Sequence, residues 1–240
     1  MKRLNGKWAL VTGSSRGIGQ LVAEALAAEG CNIVVHGREE MNCIATLERI
    51  GAYTVETFAA PGELGTAEGE AAVIEAVRKG CPQLDILYNN AAVMSQWHDS
   101  TFAISDKHWR TVFEVNFFSM VRLCDAFVPG MVRNGWGRVV NVTSGMRDLP
   151  QLSPYSVSKA AIDKYTQDMA AELKGTGVLV NTMDPGWLKT DLGGDQADHE
   201  VRTVLPGALV PVLIDEKAGS GRLYAAQDYR SLGFDPKQRS

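Results

Sequence analysis

Tyr155 and Lys159 stand four residues apart in the run Pro154-Tyr155-Ser156-Val157-Ser158-Lys159. On a helix that spacing puts both side chains on one face, one turn apart. A free phenol, with a pKa of about 10, is a poor acid at neutral pH. An ammonium beside it favours the phenolate and lowers that value, each unit being worth about 1.4 kcal/mol. The pair therefore reads as a proton donor and acceptor for interconverting a carbonyl and an alcohol. Helices also carry such pairs by chance on solvated faces, so its weight depends on what else the chain holds.

Near the other end, Trp8-Ala9-Leu10-Val11-Thr12 reads as a short buried strand. It runs into Gly13-Ser14-Ser15-Arg16-Gly17-Ile18-Gly19, after which Leu21, Val22, Ala25 and Leu26 fall at helical spacing between Gln20 and Gly30. Strand, glycine-rich turn and helix are what a dinucleotide-binding loop requires. The glycines permit a tight turn and close approach of backbone, and the helix N-terminus presents unpaired N–H groups to a pyrophosphate.

The two signals together resemble the short-chain dehydrogenase/reductase family, whose members carry TGxxxGxG near the N-terminus and YxxxK past the middle. Thr12-Gly13 with Gly17-Ile18-Gly19 matches the first, and Tyr155 with Lys159 the second. Asn89-Asn90-Ala91-Ala92, Asn116, Ser144 and Pro185-Gly186 extend the likeness from about residue 5 to about 190, in family order, while the last fifty residues are similar only loosely. The resemblance implies the catalytic set Asn116, Ser144, Tyr155 and Lys159. In it Tyr155 protonates the carbonyl oxygen as NADPH delivers hydride to the carbon. Lys159 lowers the phenol's pKa and binds the nicotinamide ribose, Ser144 holds the substrate oxygen, and Asn116 holds a water linking Lys159 to solvent. Such a fixed donor stabilises developing alkoxide charge. From the residues alone, Thr143 competes with Ser144 as the hydroxyl after the strand. The interval from Ser144 to Tyr155 is about two residues shorter than the commonest family spacing, which implies a tighter loop over Gly145 to Ser153.

The same resemblance places the cofactor on Gly13, Ser15, Arg16, Gly17, Ile18, Gly19, Asn90, Ala91, Pro185, Gly186 and Thr190, with Tyr155 and Lys159. Cofactor choice turns on the end of the second strand, Val34-Val35-His36-Gly37-Arg38. An acidic residue there hydrogen-bonds the ribose of NAD and repels a 2′-phosphate. Gly37 takes that place here, with Arg38 after it and Arg16 in the glycine loop. Two guanidiniums and no carboxylate favour NADP(H). Two departures concern the adenine side: Glu63 stands near where the family commonly has an Asp, and Ala92 replaces the usual Gly. Met94, Trp97, Met146, Leu149 and Trp187 are candidate pocket walls, and Asp191 to Val201 is short and polar where other members place a longer lid.

These parts need a scaffold, and the chain alternates the elements for one. Strands are expected at Cys31 to Val35, Tyr53 to Phe58, Leu84 to Tyr88, Arg138 to Val142 and Val178 to Thr182, with a weak last one at Gly221 to Tyr224. Helical patterns occupy Glu39 to Ile50, Ala67 to Lys79, Asp106 to Asn134 and Pro154 to Lys174. Alternating β and α units imply a doubly wound parallel sheet of the Rossmann type, ordered 3-2-1-4-5-6-7. A single dinucleotide-binding and catalytic domain over residues 1–240 follows.

The chain has 240 residues with a net charge of −4 and mixed signs throughout, which points away from nucleic acid and membrane surfaces. Lys2-Arg3 leads directly into the first strand, and no uninterrupted apolar run approaches a membrane span, so the cytoplasm is expected. Cys31, Cys43, Cys81 and Cys124 show no ligand spacing, the four histidines are scattered, and no metal is expected. The reading is an NADP(H)-dependent carbonyl reductase or alcohol dehydrogenase acting on a small carbonyl or alcohol. Rival readings are an NAD-linked alcohol dehydrogenase, a 3-oxoacyl thioester reductase, and a dinucleotide-sensing protein without turnover. The resemblance also implies a homo-oligomer, dimer or tetramer, joined through the two long helices.

Overall fold

The structure, a computed structural model, describes residues 2–231. Met1 and 232–240, the two ends of the expected domain, lie outside them. Seven parallel strands form one sheet. They are β1 (Trp8–Val11), β2 (Asn32–Val35), β3 (Thr57–Ala59), β4 (Ile86–Asn89), β5 (Gly137–Val142), β6 (Val178–Asp184) and, last in the chain, β9 (Leu223–Ala225). Their order across the sheet is β3-β2-β1-β4-β5-β6-β9, as expected from the alternation. A separate two-stranded ladder, β7 (Leu188–Lys189) with β8 (His199–Glu200), lies between β6 and β9 in the chain.

The central strands are mostly apolar and buried along their length because both faces of the sheet are covered. Side chains alternate across a strand, and the two cores divide accordingly. Ala9 and Val11, Ile33 and Val35, Ile86 and Tyr88, and Val140 and Val142 enter one core. Trp8, Leu10, Val34, Leu87 and Val139 enter the other. The first core is closed by α1 (Gly17–Ala28) and α2 (Glu40–Ile50). The second is closed by α3 (Ala67–Gly80), α5 (Ser119–Arg133) and α6 (Ser153–Glu172). Each fully buried Val or Leu contributes about 1.5–3 kcal/mol relative to exposure.

One long helical stretch runs from α4 (Asp106–Phe113) through a wide turn at Glu114–Phe118 into α5. By length and composition, Asp106–Arg133 is apolar enough to cross a membrane. In this fold its apolar residues Met120, Leu123, Cys124, Phe127, Val128 and Met131 are buried under the sheet. The wide turn loosens the winding but leaves the helix continuous from Asp106 to Arg133, close to the expected Asp106 to Asn134. There Asn116 turns its side chain to the loop after β4, and the Ser119 N–H and hydroxyl both reach back five residues to the Glu114 carbonyl.

Two further differences are local. The strand expected from Tyr53 is paired only from Thr57, because Val55 N–H turns back to the Tyr53 carbonyl and Asn32 Oδ1 accepts from the Glu56 N–H. Between β8 and β9 the chain forms a short helix, α7 (Val210–Leu213). That segment packs Val204, Leu209 and Val212 into the first core.

Candidate active site

Sequence order runs outward through β1, β2 and β3, then returns to β4 beside β1. At that reversal the loops leaving the C-terminal ends of β1 and β4 diverge, and a cleft opens there. It measures about 1280 Å³ and is bordered by residues following β1, β2, β4, β5 and β6. Gly13, Ser15, Arg16, Gly17, Ile18, Gly37, Arg38, Asn90, Ala91, Ser144, Tyr155, Lys159, Pro185, Gly186 and Thr190 all line it.

The glycine-rich turn is shaped by its neighbours. Gly13 and Gly17 have φ of +63° and +59°, where a side chain is strained. Gly19 is required for space: a Cβ there would lie 2.5 Å from the Gly13 carbonyl oxygen and 2.6 Å from Asn90 Nδ2. The Thr12 hydroxyl accepts from the N–H groups of Asn90 and Ala91, joining β1 to β4 at the cleft floor. Arg16 precedes α1 in extended conformation with no side-chain cap, and the first turn of α1 holds no acidic residue. That helix end keeps N–H groups and a positive dipole for an anion. These features fit a dinucleotide pyrophosphate.

His36, given no role in the sequence reading, supports this turn from below. It is buried, its Nδ1 accepts from the Gly13 N–H at 2.8 Å, and its Nε2 donates to the Gly62 carbonyl at 3.1 Å. With Nδ1 accepting and Nε2 donating, the ring is the neutral tautomer, and burial pushes it down to about 4. Its place at the end of β2, one residue before Gly37, was the only sequence signal.

Arg38 and Arg16 are both two-thirds exposed on the rim. Arg38 sits 3.9 Å from Glu63, and Arg16 forms an ion pair with Asp191 at 2.8 Å across the cleft mouth. Glu63 therefore lies beside the arginine at the end of β2. Thr190 Oγ1 accepts from the Gly193 N–H, and its methyl is the nearest group a Cβ on Gly17 would meet, so the loop after β6 folds over the glycine turn.

At the other end of the cleft, Tyr155 and Lys159 occupy successive turns of α6. Lys159 Nζ lies 5.5 Å from the centre of the Tyr155 ring and donates to the Val142 carbonyl at 2.8 Å. Both side chains are buried. Burial pushes the phenol up to about 12, against the pull of the Ser144 hydroxyl hydrogen-bonded to it, and Asp184 pushes the same way as burial. Burial brings the ammonium down to about 8, with Asp163 and Asp184 opposing. Burial, the largest influence on the phenol, acts opposite to the lowering expected of Lys159, whose ammonium donates to the carbonyl at the end of β5.

The two candidate hydroxyls point in different directions. Thr143 is buried and donates to the Lys159 carbonyl, whereas Ser144 faces Tyr155. Asn116 accepts from the Val93 N–H and donates to the Val93 carbonyl and to Ser158 Oγ, tying the loop after β4 to α6. With Lys159 it borders a small internal cavity of about 10 Å³, the space of roughly one water. The short loop before Tyr155 tightens into a helical turn at Pro150–Leu152, and Asp148 there takes φ +57°. Asp184, at the end of β6, was also missed: its carboxylate accepts from the Gly145 and Gly186 N–H groups at 2.9 Å each and pins the loops after β5 and β6 together.

The family model for short chain dehydrogenase matches residues 7–201. An uncharacterized oxidoreductase of Bacillus subtilis, YvrD, is 37% identical over 188 residues, which cover 77% of this chain and 69% of that protein. The L-sorbose reductase of Gluconobacter frateurii, solved with NADPH and L-sorbose, has a TM-score of 0.79 at 28% identity, covering 94% of this chain and 97% of that one. A 3-oxoacyl (acyl-carrier-protein) reductase of Agrobacterium tumefaciens, solved with NADP, has a TM-score of 0.73 at 31% identity, covering 94% and 84%. A sheet wound in this order, a family match over most of its length and solved relatives alike almost end to end have one explanation: the chain belongs to the short-chain dehydrogenase/reductase family.

Proposed function

We propose that this oxidoreductase reduces a ketone or aldehyde to the alcohol with NADPH, reversibly, using Tyr155 as the acid. The observation that carries the reading is the convergence of Tyr155, Ser144 and Lys159 at one end of a cleft whose other end is an uncapped glycine-turn helix. The dinucleotide, when bound, supplies the hydride for reduction and accepts it in the reverse direction. Tyr155, held fully protonated at neutral pH by its burial, gives its proton to the oxygen that becomes the alcohol. The Ser144 hydroxyl, which faces the phenol, positions that oxygen beside it. Lys159 shares with Asn116 the wall of a cavity of about one water's volume, through which its ammonium would be linked to solvent.

Arg16, Arg38 and the absence of a side chain at Gly37 support NADP over NAD. The looseness of the Arg38–Glu63 contact leaves the guanidinium available to a 2′-phosphate. The two solved relatives carrying NADPH or NADP support the same choice. The test is the initial rate of NADPH and NADH oxidation over a panel of ketones, aldehydes, diones and oxoacyl thioesters, with Tyr155→Phe as control. The expected result is NADPH consumption that Tyr155→Phe abolishes while the variant still binds NADPH. Turnover retained by Tyr155→Phe would refute the assigned acid. Nucleotide binding without turnover of any carbonyl would favour a sensor.

A further inference from the structure

Among the described residues, eleven large apolar side chains are exposed, and five of them, Val93, Trp97, Leu149, Trp187 and Leu192, border the cleft. Their concentration at one opening marks a recognition surface, since soluble domains seldom gather exposed apolar groups without use. We propose that the carbonyl substrate is a bulky apolar ketone of ring size, held between the indoles of Trp97 and Trp187, and not a polyol, a hydroxy acid or an acyl thioester. This names the substrate class for the reaction proposed above and rests on it.

Three loops supply the walls. Trp97 comes from the loop after β4, Met146 and Leu149 from the loop after β5, and Trp187 from the loop after β6. Trp97 is 63% exposed and Trp187 51% exposed, so both rings keep free surface for a ligand. Trp187 is held in place by its indole N–H, which donates to the Gly193 carbonyl at 2.8 Å. Gly193 is fixed in turn by its own N–H on Thr190 Oγ1. The polar edge of that ring is thus already used, and what it offers a substrate is apolar surface. Met94 and Met146 add adaptable thioether contacts to the same wall. The cleft exceeds the roughly 300–1,000 Å³ of a single small-molecule site, as a place for dinucleotide and substrate together requires.

The charge at the reacting end argues against an anionic or polyhydroxylated substrate. On the rim beside Trp187, Lys189 is paired with Glu200 at 2.7 Å. Beside Ser144 and Gly145 stands the Asp184 carboxylate, whose field opposes a second carboxylate or a phosphate at the reacting end. Its oxygens are engaged by the Gly145 and Gly186 N–H groups, so it is not set out to receive a row of substrate hydroxyls.

The experiment has two readouts on the full chain. In the first, tryptophan fluorescence is titrated with a bicyclic aryl ketone, 1-tetralone, in the presence of NADP, for wild type, Trp97→Ala and Trp187→Ala. Quenching is expected, with binding weakened about tenfold or more in each variant. In the second, kcat/KM for NADPH oxidation is compared among 1-tetralone, a ketohexose, acetoin and an acetoacetyl thioester. The aryl ketone is expected to lead, and Trp97→Ala to lower its kcat/KM mainly through KM. Unfolding midpoints near wild type establish that the variants fold, and Trp97→Phe and Trp187→Phe replace either one that does not. Preference for the ketohexose, acetoin or the thioester, with turnover dependent on Tyr155, would overturn the substrate class and leave the reaction standing. Tetralone binding indifferent to both tryptophans would also overturn it. NADPH binding with no turnover of any carbonyl would overturn the reaction and this inference together.

Discussion

Acid should loosen this protein at one definable place. His36 is 3% exposed and is held neutral between the Gly13 N–H and the Gly62 carbonyl. In the unfolded chain it titrates at the ordinary 6.5, and in the fold burial has pushed it down to about 4. Above pH 6.5 both states are neutral and the group has no effect on stability. As pH falls below 6.5 the unfolded chain takes up a proton that the folded chain refuses, so stability is lost until the folded imidazole titrates as well. The full loss is about 3 kcal/mol, of which about 2 kcal/mol has gone by pH 5. Protonation at Nδ1 also removes the acceptor for the Gly13 N–H, so the glycine turn loosens along with the global stability. Carboxylates contribute to acid unfolding too, so the measurement is a difference. His36→Asn keeps an oxygen able to accept from Gly13 and has nothing to titrate. Denaturant unfolding of both proteins at pH 7.5, 6 and 5 should show the stability of wild type relative to the variant falling by about 2 kcal/mol over that range. A difference that stays flat to pH 5 would refute the argument, since it would mean the buried imidazole is protonated as easily in the fold as outside it.

Lys159→Met should abolish turnover and yet stabilise the ligand-free protein. The buried ammonium, lowered from 10.5 to about 8, costs the fold about 3 kcal/mol at neutral pH, and losing its bond to the Val142 carbonyl returns about 1–2 kcal/mol. Thermal unfolding should show the gain, and wild-type stability should rise from pH 8 to 10.5 where the variant's does not; a lower midpoint in the variant would contradict this. Arg38→Asp should move the NADPH-to-NADH ratio of kcat/KM toward NADH by about tenfold or more, because it puts a carboxylate where a 2′-phosphate would sit. An unchanged ratio would remove Arg38 from cofactor choice. Gly19→Ala should weaken nucleotide binding, measured by NADPH fluorescence, since its methyl would stand 2.5 Å from the Gly13 carbonyl and force the turn apart. Affinity equal to wild type would show that the turn yields without cost.

Much of the frame was legible because its signals are local. Four-residue aliphatic strands, the period of α1 and the run from Gly13 to Gly19 depend on neighbours in the chain, and residues adjacent in sequence carry them. Strand order followed because alternating β and α units admit few right-handed windings. Tyr155 and Lys159 were legible for the same reason, being one turn apart on one helix.

What the tertiary structure alone decided depends on groups brought together from distant parts of the chain. Ser144 was separated from Thr143 only by the packing of α6, which draws one hydroxyl to the Lys159 carbonyl and leaves the other beside Tyr155. The side chain of Asn116 is engaged by Val93 and Ser158, residues 23 and 42 positions away. Asp184 and His36 carry no motif, and their importance comes from which backbone N–H groups the folded loops aim at them. The pKa of Tyr155 is the clearest case. Spacing alone implies that an ammonium lowers it, but burial removes both groups from water and raises it. Desolvation is a property of everything packed around a group, and no short stretch of sequence contains it.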